Sequence, residues 1–169
     1  MNWAHAHLIV NHVPVMGAVF ALLLLVWGMA RKSEEVRQAA LWGMVLTGLA
    51  AGAAYLTGSY AGDLVQNLPG VSAVRISTHE DAALLALIAA IAAGVLALAG
   101  LWLARRGRSI PRWCVLGCLV LGLATGALMA RAANYGGEIR LPEARPGWVW
   151  PAEGAPAARA LPKSPSHGG

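Results

Sequence analysis

Four of the five histidines in this sequence lie near the starts of two apolar segments, where imidazole can act as a ligand. His5, His7 and His12 fall within eight residues of one another, and His79 opens another apolar run far along the chain. Imidazole is the commonest metal ligand among side chains, and it is also the axial ligand of many haems. The elements that position these histidines therefore decide what chemistry the chain can do.

The composition is that of a membrane protein. Of the 169 residues, 57% are hydrophobic and 12% are charged, and the mean hydropathy is +0.57. A soluble domain of this length carries more charge than this. The formal net charge is +5, but the basic residues cluster between the apolar runs. That distribution indicates membrane topology and argues against nucleic-acid binding.

Four apolar runs are each long enough to cross a bilayer. They cover about residues 13–30, 36–60, 79–103 and 111–133, against the roughly 20 residues that a transmembrane helix needs. The predicted fold is all-α, an integral membrane four-helix bundle with up-down-up-down topology over residues 1–141. Residues 142–169 form a Pro/Ala/Gly-rich tail that is expected to be mostly irregular.

Local signals predict where two of these helices start. Asn11 is expected to cap the first helix ahead of Pro14, and Ser77 and Glu80 have capping-box spacing at the start of the third. Residues 61–77 are predicted to form a re-entrant or surface connection with, at most, a short amphipathic helix.

Charge sets the predicted orientation. Basic residues fill the first and third connections, namely Arg31, Lys32, Arg37, Arg105, Arg106, Arg108 and Arg112. The positive-inside rule places these connections in the cytoplasm and both termini outside. No ionisable residue remains in the middle of a predicted helix, which argues against a transporter, a proton channel or a pump.

This topology brings the histidines to the outer face. We predict that His12 and His79, in the first turns of two diagonal helices, face each other and supply both axial ligands of haem b. The haem is expected to be non-covalent because the chain has no C-x-x-C-H motif. His7, Arg131 and Tyr135 belong to the same predicted cofactor site, where Arg131 would bind the propionates. A quinone at the outer rim is the alternative cofactor.

Two other functions stay open at this stage. His5, His7, His12 and His79, with Asp63 nearby, are candidates to bind a Cu or Zn ion. Alternatively, the outer polar cluster serves as a docking surface in a non-enzymatic scaffold or assembly subunit. Hydrolytic chemistry is not expected because the G-x-S-x-G and H-E-x-x-H motifs are both missing.

Several short motifs resemble a family of uncharacterised bacterial membrane proteins. Five motifs follow one another along the chain: His7-x-x-x-x-His12-x-Pro14, Tyr55-Leu56-Thr57-Gly58, Leu68-Pro69-Gly70-Val71, His79-Glu80 and Tyr135-Gly136-Gly137-Glu138-Ile139-Arg140. This order is similar to that of the family named for the domain of unknown function 2231, over roughly residues 5–141.

The resemblance implies a four-helix protein of the bacterial inner membrane with a histidine-bearing periplasmic face. Some members are fused to Rieske-type iron–sulfur domains, which implies electron transfer. The expected function is therefore an inner-membrane redox subunit that is not an enzyme by itself. Its expected partners are the lipid bilayer, a quinone and a periplasmic or membrane redox protein.

Overall fold

The protein is all-helical in a computed structural model that describes residues 2–105 and 108–149. Five α-helices follow one another along the chain: α1 (Trp3–Val10), α2 (His12–Ala30), α3 (Glu34–Val65), α4 (Ala73–Leu103) and α5 (Arg112–Arg140). A short 3-10 helix, Pro142–Ala144, follows α5. The rest of the predicted irregular tail, from residue 150, lies outside the described residues.

Four spans are long and apolar enough to cross a membrane, which makes this a multi-pass membrane protein. The first span, Trp3–Ala30, combines α1 and α2, and α3, α4 and α5 form the other three. Each span packs on the next one along the chain, and α5 packs back on α2. The predicted four-helix bundle is therefore confirmed, with the first span and α4 on its diagonal.

The first span is broken at Asn11, between α1 and α2. Pro14 has no backbone N–H for the carbonyl four residues earlier, so the helical ladder is interrupted here. The Asn11 side chain makes no capping hydrogen bond. The prediction that Asn11 caps a helix starting after it was therefore wrong, because the span already begins at Trp3.

The helices around the middle connection are longer than predicted. Helix α3 continues to Val65 and α4 starts at Ala73, so only seven residues, 66–72, connect them. Ser77 lies inside α4, where its hydroxyl donates to the Val74 carbonyl at 3.1 Å instead of capping the helix. The capping-box assignment was therefore wrong, since the residue before α4 is Ser72.

Small residues let the spans approach closely at the centre of the bundle. A Cβ on Gly48 would lie 3.1 Å from the Ala90 carbonyl oxygen of α4, whereas one on Gly52 would meet nothing within 4 Å. The core around them is built largely from alanine. In lipid, such close packing replaces the hydrophobic driving force that holds soluble bundles together.

The basic end of the bundle is held by polar contacts between connections. The Ser33 hydroxyl caps α3 by accepting from the Val36 N–H, and Arg37 donates to the Gly28 carbonyl at the end of α2. Glu34 accepts a hydrogen bond from the backbone N–H of Ile110, just before α5. These contacts tie the first and third connections together at the end opposite to His7 and His79.

Candidate functional site

Two imidazoles from different spans meet at the end of the bundle opposite to the basic connections. The ring centroids of His7 on α1 and His79 on α4 are 6.5 Å apart, and the ring planes are inclined at 73°. Both side chains are partly buried. Because the first span and α4 lie on the diagonal, this pair bridges the bundle between its two halves.

The His7 ring is fixed by α3. Its Nδ1 lies 3.0 Å from the Ala54 carbonyl oxygen and 3.4 Å from the Thr57 hydroxyl. A carbonyl oxygen can only accept, so Nδ1 carries the proton and Nε2 keeps its lone pair in the neutral ring. Gly58 leaves room for the ring, since a Cβ there would lie 3.0 Å from His7 Cε1.

The His79 ring is fixed by α5 in the same way. Its Nδ1 lies 2.9 Å from the Ala132 carbonyl oxygen, which again assigns the proton to Nδ1. Gly136, four residues after Ala132, makes room for this ring, because a Cβ there would lie 3.1 Å from His79 Cε1. In each half of the chain, therefore, an imidazole from the first span packs on an Ala-x-x-x-Gly stretch of the second span.

These contacts leave the Nε2 atom of each ring unprotonated, with a lone pair available to a metal. Across the described residues, neither Nε2 has a hydrogen-bond partner. A ring whose other nitrogen donates to a carbonyl is in the tautomer and orientation found in metal-ligating histidines. Two neutral imidazoles, each with an unprotonated Nε2, therefore meet at this end of the bundle.

The described residues bring no third His, Cys, Asp or Glu ligand to this pair. Within residues 2–105 and 108–149, no group of three or more His, Cys, Asp or Glu side chains is close enough to hold a metal ion. His5 and Asp63 are exposed, and the structure does not gather them around His7. The described residues therefore do not gather the expected Cu or Zn ligands into one cluster, and the metal site stays a prediction.

A buried carboxylate lies on α5 one turn beyond Asn134, near the same end of the bundle. Glu138 is only 7% exposed, and its two oxygens accept from Arg75 at 2.9 Å and from Asn134 at 3.0 Å. Arg145 donates to the Glu138 backbone carbonyl at 3.0 Å. This network fixes the start of α4 to the end of α5, and so fixes the elements that carry His79 and Gly136.

One buried oxygen near His7 has no donor. Asn11 Oδ1 is buried without a hydrogen-bond partner within the described part of the chain. Asn11 is four residues after His7, and such residues share one side of a helix. A buried acceptor left without a donor is unfavourable, so this oxygen is a place where a water molecule or a bound group would be stabilised.

The structure replaces His12 with His7 as the partner of His79. His12 is exposed, and its Nδ1 lies 2.9 Å from the Leu8 carbonyl of its own span. The prediction that the imidazoles of His12 and His79 face each other was therefore wrong. The cause is the early start of the first span, which puts His7 inside the bundle and turns His12 outward.

Arg131 and Tyr135 interact with each other on α5. The Arg131 guanidinium lies 5.5 Å from the centroid of the Tyr135 ring, and its Nε is 3.4 Å from the phenol oxygen. Arg131 is exposed, and no hydrogen bond or ring contact joins either residue to His7 or His79. Their assignment to a cofactor site stays a prediction.

Sequence reasoning missed the residues that hold the imidazoles. Ala54 and Gly58 on α3 have the same spacing as Ala132 and Gly136 on α5. This repeated Ala-x-x-x-Gly spacing, one stretch in each half of the chain, was the available signal. Arg75 and Asn134 carried no signal of their own, because only the fold brings them to Glu138.

Comparisons of the chain with protein-family models, curated proteins and solved structures find no match. The resemblance to the family named for the domain of unknown function 2231 therefore stays a prediction. The geometry of the His7–His79 pair is the basis for assigning a function.

Proposed function

We propose that this protein is a membrane electron-transfer protein that binds one haem b through His7 and His79. The observation that carries the proposal is the pair of Nδ1-protonated imidazoles from diagonal spans. Two imidazoles on opposite sides of one metal ion, with bonds of about 2 Å, would have ring centroids about 6 Å apart. The separation of 6.5 Å is close to that value.

A haem suits this pair better than a bare metal ion does. Structural Zn sites use four protein ligands and catalytic ones use three, whereas the described part of the chain brings together two imidazoles and no third His, Cys, Asp or Glu side chain. A haem brings four equatorial nitrogens with its iron and needs only axial ligands from the protein. When bound, it would supply one-electron chemistry.

The surrounding residues would tune the two ligands. The Ala54 and Ala132 carbonyls hold each ring in one orientation and in the tautomer that leaves Nε2 unprotonated. Gly58 and Gly136 keep each ring against its neighbouring helix without a side chain in between. Both histidines are partly buried, which limits the access of water to the ligating atoms.

The same proposal includes an orientation in the bacterial inner membrane with both termini in the periplasm. It is supported by the basic residues at the end of the bundle opposite to His7 and His79. A haem close to the periplasmic face would exchange electrons between a quinol in the outer leaflet and a redox partner outside.

The experiment is a reduced-minus-oxidised spectrum of the protein purified in detergent from cells supplied with a haem precursor. We expect b-type bands in the wild-type protein, and the loss of the low-spin bands in both His7→Ala and His79→Ala. His12→Ala is the matched control, because it removes an exposed imidazole of the same span and should keep the wild-type spectrum.

Three results would overturn the proposal. One is a wild-type spectrum without b-type bands after haem supply, which would favour the scaffold alternative. Another is stoichiometric Cu or Zn by elemental analysis, with loss of the metal in His7→Ala. The third is a His12→Ala spectrum that changes as much as that of His79→Ala, since the pair would then be assigned wrongly.

A further inference from the structure

A groove opens between α3 and α4 at the basic end of the bundle, far along both helices from the histidine pair. It has a volume of about 560 Å³, and its walls include Trp42 on α3 and Trp102 on α4. Both indoles are largely exposed, at 52% and 65%. Ligand-binding clefts in proteins commonly have volumes of about 300–1,000 Å³.

The groove exists because the side chains along its floor are small while those of its walls are large. Gly94 of α4 lies against the Met44 carbonyl of α3, which fixes the two helices at close range. Towards the basic end, Ala99 and Ala104 face the groove and leave the space between the helices unfilled. Val95 and Leu98 add apolar side chains to the lining.

The polar groups of the groove lie at its end near the membrane surface. Gln38 is in the second turn of α3, and Arg105 lies two residues beyond the end of α4. Within the described part of the chain, no acidic side chain lines the groove, and Arg105 has no carboxylate within ion-pair distance. The groove therefore combines an apolar lining with a guanidinium at its mouth that forms no ion pair with a described carboxylate.

The surroundings add to this positive field. Arg31, Lys32, Arg108 and Arg112 are exposed at the same end of the bundle. Exposed tryptophans at this depth place their amphipathic rings among lipid headgroups. Basic clusters beside a transmembrane helix attract anionic lipids of the adjacent leaflet.

We propose that this groove binds one phospholipid with an anionic headgroup. One acyl chain lies along Val95, Leu98 and Ala99, between the two indoles. The headgroup phosphate is bound by the Arg105 guanidinium and the Gln38 amide. This site is independent of the histidine pair, so it holds whether or not a haem is bound there.

Native mass spectrometry of the detergent-purified protein tests this proposal. The protein is mixed with equal amounts of phosphatidylglycerol and phosphatidylcholine, and the lipid adducts that survive detergent removal are counted. We expect one retained phosphatidylglycerol. Arg105→Gln should weaken its retention about fivefold, which is the usual effect of one basic residue near an anionic membrane surface. Arg112→Gln is the control, because Arg112 is exposed at the same end but does not line the groove.

A second variant tests the apolar part of the groove without changing any charge. Ala99→Phe fills the groove and should abolish retention of the lipid, whereas Ala124→Phe, at an exposed position of α5, should not. Equal retention of the two lipids, or equal effects of Arg105→Gln and Arg112→Gln, would overturn the proposal. So would a dimer that Ala99→Phe dissociates, because a second copy of the chain would then cover the groove.

Discussion

Two neighbouring glycines at the end of α5, Gly136 and Gly137, provide a test of how the His79 imidazole packs on this helix. A Cβ on Gly136 would lie 3.1 Å from His79 Cε1, whereas one on Gly137 would meet nothing within 4 Å. Both residues lie inside the same helix. Replacing either by alanine therefore changes the helix in the same way, but only Gly136→Ala presses on the ring.

The magnitudes follow from this difference. Alanine in place of glycine inside a helix stabilises by about 1 kcal/mol, and this gain applies to both variants. In Gly136→Ala the ring must move by a few tenths of an ångström, which strains the 2.9 Å bond to the Ala132 carbonyl. Overpacking costs about 1–3 kcal/mol, so the gain at Gly136 is cancelled or reversed.

Thermal unfolding in detergent, followed by tryptophan fluorescence, is the assay. A change of 1 kcal/mol shifts the Tm of a chain of this size by about 2–4 °C. We expect Gly137→Ala to raise the Tm by about that much and Gly136→Ala to leave it unchanged or lower it. On α3, Gly58→Ala should behave like Gly136→Ala, with Gly52→Ala as its unhindered control.

An equal rise in Tm for Gly136→Ala and Gly137→Ala would refute the reasoning. It would mean that the His79 ring does not pack on α5, and the assignment of the free Nε2 would fail with it.

Two more predictions concern the contacts that hold the bundle together. Arg75→Ala removes the ion pair of Glu138, whose side chain is 9% exposed, and should lower the stability by about 3 kcal/mol because a buried charge loses its partner. Arg131→Ala, at an exposed position, should change it by less than about 1 kcal/mol, and equal losses in thermal unfolding would contradict this account. Gly48→Ala should lower the Tm in the same assay, because its Cβ would lie 3.1 Å from the Ala90 carbonyl oxygen of α4. A Tm for Gly48→Ala as high as that of Gly52→Ala would show that Gly48 is not at the helix contact.

The spans and their packing order could be predicted from the sequence, whereas the helix ends could not. Four long apolar runs leave helices as the only way to satisfy the backbone in lipid. Polar residues near the ends of the apolar runs, such as Ser77 and Asn134, resemble residues that begin or end a helix, so the predicted helices are too short. In the structure both lie inside helices, because α4 and α5 continue beyond the most apolar part of each run.

The sequence also determines that the histidines lie at the end of the bundle opposite to the basic connections. The order of the spans and the charge of the connections depend only on local composition. The choice between His7 and His12 was made by the tertiary structure. A residue's direction around a helix changes by about 100° per position, so the break at Asn11 and the early start at Trp3 decide which imidazole enters the bundle. The carbonyls of Ala54 and Ala132, 47 and 53 positions away from their histidines, can select a tautomer only once the spans have packed.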